Sequence, residues 1–347
     1  MTHPVHTPVV AADGGLIGFA LADLLAGRTT TMRVELSDAG AAEPWLTRLA
    51  GADASLTALG QGQADLPARP ELGRLALLLW LRRWWPAGPS LGVPSLDPAL
   101  LDLETAVATA EVEDLAEGLL DGFEASPAEL FDAAIADGAL AAAARPVAED
   151  VRGLCARLAA WFDEQDDVVR AEAAARWETV APGRRAYALA AGLDPIAPGE
   201  GVLVSGRASV DWARVPPGIL DAGEGTVTWR IVAAATATRL EVVVEGAFAD
   251  AAITAFASHE GEPFAEVPLE LGAGRFTGAA DLDETAARLA ARVHSGQIAV
   301  VVGVADEGVA GTTAEDRAEV VALVRARPPE VRTLAERAAA ASADEEF

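Results

Sequence analysis

Leu193-Asp194-Pro195-Ile196-Ala197-Pro198-Gly199-Glu200-Gly201 is the stretch on which the fold reading turns. Proline lacks a backbone N–H and glycine carries the largest backbone entropy cost. Two of each in nine positions therefore break a helix or a central strand. The hydrophobic period also changes across this stretch. Before it, apolar residues recur at three- and four-residue spacings. After it, Val and Thr become frequent and alternate with polar residues. The expected class is α+β and multidomain: a mainly helical domain over 1–192, a linker over 193–201, an antiparallel β-sandwich over 202–308 and a short helical tail over 309–347. A chain of 347 residues is long for one core and fits two domains. With 51% hydrophobic residues, core material is plentiful and general disorder is excluded.

Upstream of the break, start and stop signals bracket the helices. Glu71 to Trp85 is apolar around most of its circumference, which marks a buried helix, and Pro86 stops it. Asp97-Pro98 supplies an N-cap followed by proline at the first helical position, opening a helix toward Phe123. Ser126 with Glu129 is a capping box, and the helix it opens runs toward Ala144. Val147 to Val180 reads as one long helix, or two joined near Asp163 to Asp167, and Arg184 to Ala191 as a last short one. Nearer the N-terminus, Asp13-Gly14-Gly15 reads as a turn before a short helix over Leu16 to Leu25. Thr30 to Leu36 reads as a strand, Pro44 to Ala50 as a brief helix and Gly51 to Pro70 as loop.

Downstream, strands are expected at Val202–Trp212, Thr226–Ala235, Leu240–Ala247, Pro263–Leu271, Arg275–Ala280 and Gln297–Val304. Turn chemistry such as Gly272-Ala273-Gly274 separates them. Asp211-Trp212 and Trp229 place indoles in two of these strands, as core residues. Asp283 to Val293 fits a crossover helix or a strand. Ala314 to Arg327 and Glu330 to Ala341 have a helical period, and Asp344 to Phe347 reads as a frayed acidic end.

Composition removes whole classes of chemistry. The chain has no Lys and no Asn, and its 26 basic residues are all Arg, a bias that GC-rich coding explains. A phosphate loop, a side-chain Schiff base and a kinase ATP-pairing lysine are thereby excluded. The formal charge of −27 repels phosphate backbones, so no nucleic acid is expected as partner. The single cysteine, Cys155, forbids an intramolecular disulfide and sits in a helical apolar pattern as a small hydrophobe. The first ten residues, MTHPVHTPVV, lack the basic and apolar regions of a signal peptide. The longest apolar run, Leu75 to Leu81, is far short of the roughly 20 residues of a membrane span. A cytoplasmic location and no membrane partner are expected.

No zinc signature and no GxSxG nucleophile elbow occurs, so no metal, cofactor or catalytic residue is assigned. His259-Glu260 reads as a solvated loop, His294 as a turn residue, and His3 and His6 as part of a loose segment. Two acidic groups, Glu111, Glu113, Asp114 and Glu117, and Asp163, Glu164, Asp166 and Asp167, read as solvated faces, because neither follows a calcium-loop spacing. The more suggestive motif is Trp80, Arg82, Arg83, Trp84 and Trp85. Arg beside Trp anchors protein interfaces through cation–π and packing contacts. The bland alternative packs these indoles inside the helical domain, with the arginines paired to acids. The function expected is a non-catalytic interaction or scaffold subunit of a cytoplasmic bacterial assembly, with another protein as partner and a basic one favoured by charge. Two rivals stand beside it: an enzyme with a dispersed carboxylate and Arg site, and an accessory component of an actinobacterial multi-gene conflict system.

Overall fold

Asp13-Gly14 lies between two short apolar runs, and Gly14 takes a left-handed φ of 71° there. A β-carbon on Gly14 would stand 2.3 Å from the Asp38 carbonyl oxygen, so glycine is required on both counts. The pair turns the chain back as a hairpin, which an Asp-Gly pair between apolar runs signals. This is seen in a computed structural model that describes residues 3–116, 118–121, 125–177, 201–233, 237–246, 251–303 and 311–345. The hairpin joins β1 (Val9–Ala12) to β2 (Gly15–Gly18). Strands β3 (Thr31–Leu36) and β4 (Gln63–Pro67) complete an antiparallel sheet of order β1-β2-β3-β4. Val10, Ile17, Met32, Val34 and Leu66 are buried on one face. Arg33 and Glu35 pair on the other, where Arg33 also bonds Gln63.

Around and after this sheet come α1 (Leu21–Leu25), α2 (Ala39–Ala50), α3 (Ala52–Gln61), α4 (Pro70–Trp84), α5 (Pro98–Leu115), α6 (Pro127–Ile135), α7 (Ala139–Ala143), α8 (Ala148–Glu164) and α9 (Val168–Ala175). The caps act as the sequence implies. Asp97 accepts from the Ala99 and Leu100 amides, and Ser126 and Glu129 form the reciprocal box. Each satisfies backbone donors that a helix start leaves without partners.

The second half carries β5 (Val202–Ala208), β6 (Val227–Ala233), β7 (Thr238–Glu245), β8 (Ile253–His259), β9 (Glu262–Gly272), β10 (Arg275–Asp281), α10 (Glu284–Ala290), β11 (Ile298–Gly303) and α11 (Ala314–Arg325), followed by α12 (Leu334–Glu345). The seven strands pair antiparallel in the order β11-β8-β9-β10-β7-β6-β5. β9 is the corner. Residues from Glu262 to Leu269 pair with β8, and Glu270 to Gly272 pair with β10. Gly278 of β10 allows close approach at this bend, since a β-carbon there would lie 2.2 Å from the Pro268 oxygen. The sheet thus folds over itself into a near-barrel around Val227, Trp229, Ile231, Leu240, Val242, Phe276 and Val300. Gly206 sits opposite Trp229, and its missing side chain leaves room for the indole, whose ring would be 2.6 Å from a β-carbon.

The chain packs as two compact units, and neither is one continuous stretch. One comprises Met1–Arg83, Leu96–Arg184 and Ala322–Phe347; the other comprises Trp84–Ser95 and Arg185–Val321. Buried carboxylates fix both discontinuities. In the second unit, Asp221 accepts from Ser90 Oγ at 2.9 Å and from the Gly223 amide at 2.8 Å, while the Ala222 amide donates to Ala87. In the first, Glu104 of α5 accepts from the Leu334 and Ala335 amides at 2.9 and 3.0 Å and so caps α12.

Several expectations change. The first 192 residues hold a four-stranded sheet beside their helices, where the sequence reading had a single strand at Thr30 to Leu36. Leu16 to Leu25 divides into β2 and α1, and Gly51 to Pro70 holds α3 and β4. α2 begins at Ala39, ahead of Pro44, because Asp38 caps it. β8 was not expected. Its Ala255 and Ala257 bury small side chains that scarcely register as an apolar alternation. The strand expected to reach Trp212 ends at Ala208, and residues 283–293 contain a helix capped by Asp283. The pairing is one folded sheet rather than two separate layers. Residues 193–200 of the expected linker and the helix over 184–191 lie outside the described residues.

Candidate functional site

The Trp-Arg motif divides between burial and partial exposure. Trp80 is 2% exposed, and its indole N–H donates to the Val5 carbonyl at 2.8 Å. Trp85 is 8% exposed and donates to the Pro94 carbonyl at 2.8 Å. A buried indole needs such a partner, and here each is a backbone oxygen of the indole's own unit, the first unit for Trp80 and the second for Trp85. Arg82 pairs with Asp102 at 2.9 Å. Arg83 and Trp84 are half-buried. The two buried indoles of the motif therefore each pack into their own unit, while Arg82, Arg83 and Trp84 are half-buried. Trp212 and Trp229 are buried in the second unit, and Trp212 donates to the Ala222 carbonyl.

A cleft opens in the first unit where α4 begins and α5 ends. The two helices lie side by side in opposite directions, as the Arg82–Asp102 pair at their other ends requires. The cleft has a volume of about 520 Å³ and is lined by Pro70, Glu71, Arg74, Glu111, Asp114 and Leu115. Glu111 pairs with Arg157 of α8. Arg74 also lies 3.8 Å from the buried Glu104. Burial, with Arg74 nearby, lowers the pKa of Arg157. Beside the lining, half-buried Glu113 titrates above the usual range, first through burial and then through Asp114 and Asp121. Glu71 and Asp114 have no ion-pair partner among the described residues. The lining therefore combines two carboxylates without ion-pair partners, Glu71 and Asp114, with the Arg74 guanidinium and the apolar Pro70 and Leu115. It suits a cationic side chain with an aliphatic stem.

The sequence had placed Glu111 and Asp114 on one helix face. It had no means to bring Glu71 and Arg74 against them, because α4 and α5 are separated by the excursion through Trp84–Ser95.

Other ionisable groups serve the fold. Glu104 is buried, and its pKa is raised by burial against the opposing pull of the Leu334 and Ala335 amides and Arg74. Arg327 is 3% exposed. Its Nε lies 2.9 Å from Glu336 Oε1 without pointing its hydrogen at that oxygen, and its Nη2 donates to the Val331 carbonyl. Burial pushes the Cys155 thiol up to about 12, so it stays protonated and inert. In the second unit Arg317 of α11 forks onto Glu224 while donating to the Thr312 carbonyl, which fastens the start of α11 to the loop that carries Glu224. His259 ends β8, and His3 caps a single 3-10 turn through Nδ1. Among the described residues no group of three or more His, Cys, Asp or Glu is placed to hold a metal ion, and no helix is long and apolar enough to cross a membrane. No family model, no curated protein and no solved structure matches the chain.

Proposed function

We propose that the chain is a non-catalytic interaction subunit of a cytoplasmic bacterial assembly and that its partner is a basic protein. The observation that carries this is the cleft between α4 and α5, where half-buried Glu71 and exposed Asp114 form no ion pair among the described residues, although Arg74 shares the lining. A chain of net charge −27 steers cationic partners from a distance, and unpaired carboxylates in a concavity give such a partner a place to settle. Glu104 is satisfied by the Leu334 and Ala335 amides and Asp221 by the Ser90 hydroxyl and the Gly223 amide, which supports a structural use for both buried carboxylates.

A tagged copy purified from its native host and analysed by mass spectrometry tests the reading. A basic protein should co-purify in near-stoichiometric amount and be released by salt. It should be depleted when Glu71→Gln and Asp114→Asn are combined. Recovery of no specific partner defeats the proposal.

A second reading, an enzyme with a dispersed carboxylate and Arg site, is favoured by one observation. Glu113, with its raised pKa, stands beside the cleft that Arg74 lines. Turnover of a small molecule by the pure protein, abolished by Glu113→Gln, would replace the first reading with this one.

A further inference from the structure

The corner between α8 and α9 carries an apolar surface that the fold leaves open. α9 buries Ala174 and turns Val168, Val169 and Ala173 to solvent, the two valines at 60% and 80% exposure. Despite this shallow burial the helix is tied to its neighbours by ion pairs. Arg170 forks onto Asp132 of α6 through Nε at 3.0 Å and Nη2 at 2.6 Å, and its Nη1 bonds Asp167 at 2.6 Å. The valines therefore stand on a helix whose Arg170 is bonded to α6. Immediately before them, Asp163, Glu164 and Asp166 are exposed and have no ion-pair partner among the described residues. Exposed apolar side chains beside unpaired charge of one sign match a partner segment with the opposite sign around an apolar stripe.

We propose that the α8–α9 corner docks a basic amphipathic helix of a partner protein, with its apolar residues on Val168 and Val169 and its cationic residues on Asp163, Glu164 and Asp166. The inference rests on the basic-partner reading above and assigns that partner a second surface, apart from the α4–α5 cleft. A second copy of this chain is a poor occupant. Its own net charge of −27 would set carboxylates against carboxylates.

The test separates apolar contact from bulk charge attraction. Two labelled peptides of about 18 residues are titrated into the full-length chain at about 0.15 M salt: an amphipathic Leu/Lys helix, and a peptide with identical lysines and Ser in place of Leu. The Leu/Lys peptide should bind at least about tenfold more tightly than its Ser counterpart. Val168→Ser with Val169→Ser should bring that ratio close to one while leaving the Ser/Lys affinity unchanged. Asp163→Asn, Glu164→Gln and Asp166→Asn together should weaken the Leu/Lys peptide. Circular dichroism of both variants checks that α9 remains folded.

A ratio unaffected by the valine substitutions overturns the inference. So does a wild-type dimer that those substitutions dissociate, since the occupant would then be a second copy. The two proposals fail separately. Loss of any host partner removes the functional reading, whereas a host partner captured equally well by the valine variant removes this surface alone.

Discussion

Glu104 shows how one side chain acts far from its own helix. It belongs to α5, yet its carboxylate accepts the first two amides of α12, more than two hundred positions later. A carboxylate at a helix N-terminus is favourable to the dipole, but burial dominates here and raises its pKa above the ordinary 4.5. Because the folded state holds this proton more tightly than the unfolded chain does, the stabilising linkage is complete below about 4.5. It is lost as pH rises through the raised value. Glu104→Gln removes the titration while keeping the shape. In urea unfolding, the stability difference, wild type minus variant, should fall as pH rises from about 4.5 and then level off. A difference that stays flat with pH would show that Glu104 titrates alike in both states.

Local turn chemistry decides how the β elements join. The β9–β10 connection places Ala273 and Gly274 between the paired residues Gly272 and Arg275, with φ of 53° and 73°. Two consecutive left-handed residues match the strand twist of a tight hairpin, but alanine has a β-carbon that opposes this conformation by roughly 1–2 kcal/mol. Glycine relieves that strain and adds unfolded-state entropy, so the two effects partly offset. Ala273→Gly should raise stability by about 0.5–1 kcal/mol, read as a higher denaturant midpoint with an unchanged slope. A lower midpoint would mean that entropy outweighs strain at this turn. The β8–β9 hairpin uses the same geometry at Glu260-Gly261, with φ of 50° and 86°.

At the scale of the molecule, charge is the dominant quantity. Local pairs such as Arg230–Glu241 and Arg239–Asp281 are individually weak at a surface. They leave most of the excess of 53 acids over 26 bases uncompensated. Such a surplus repels itself in the compact state more than in the expanded chain. Raising sodium chloride from about 0.01 M to 0.15 M shortens the screening length from about 30 Å to 8 Å, and the thermal midpoint should rise across that range. A midpoint that falls with salt would mean that attractive pairs outweigh the net repulsion.

Elements whose signals close within a few residues were legible in the sequence. The Asp97 cap, the Ser126–Glu129 box and the Pro86 stop satisfy or remove backbone groups within one turn. The alternation in β6 and β7 needs no knowledge of its partner. The acidic charge and the absence of Lys likewise follow from composition. Tertiary structure decided the rest. The N-terminal hairpin depended on whether Gly15–Gly18 found β3, and small alanines hid β8. The bend that folds one sheet at β9 needed Gly278 to face Pro268. The α4–α5 cleft and the α12 cap bring together residues remote in sequence. The physical reason is range: a capping or turn bond forms between neighbours, whereas strand partners, buried carboxylates and cleft walls are chosen by packing among distant segments.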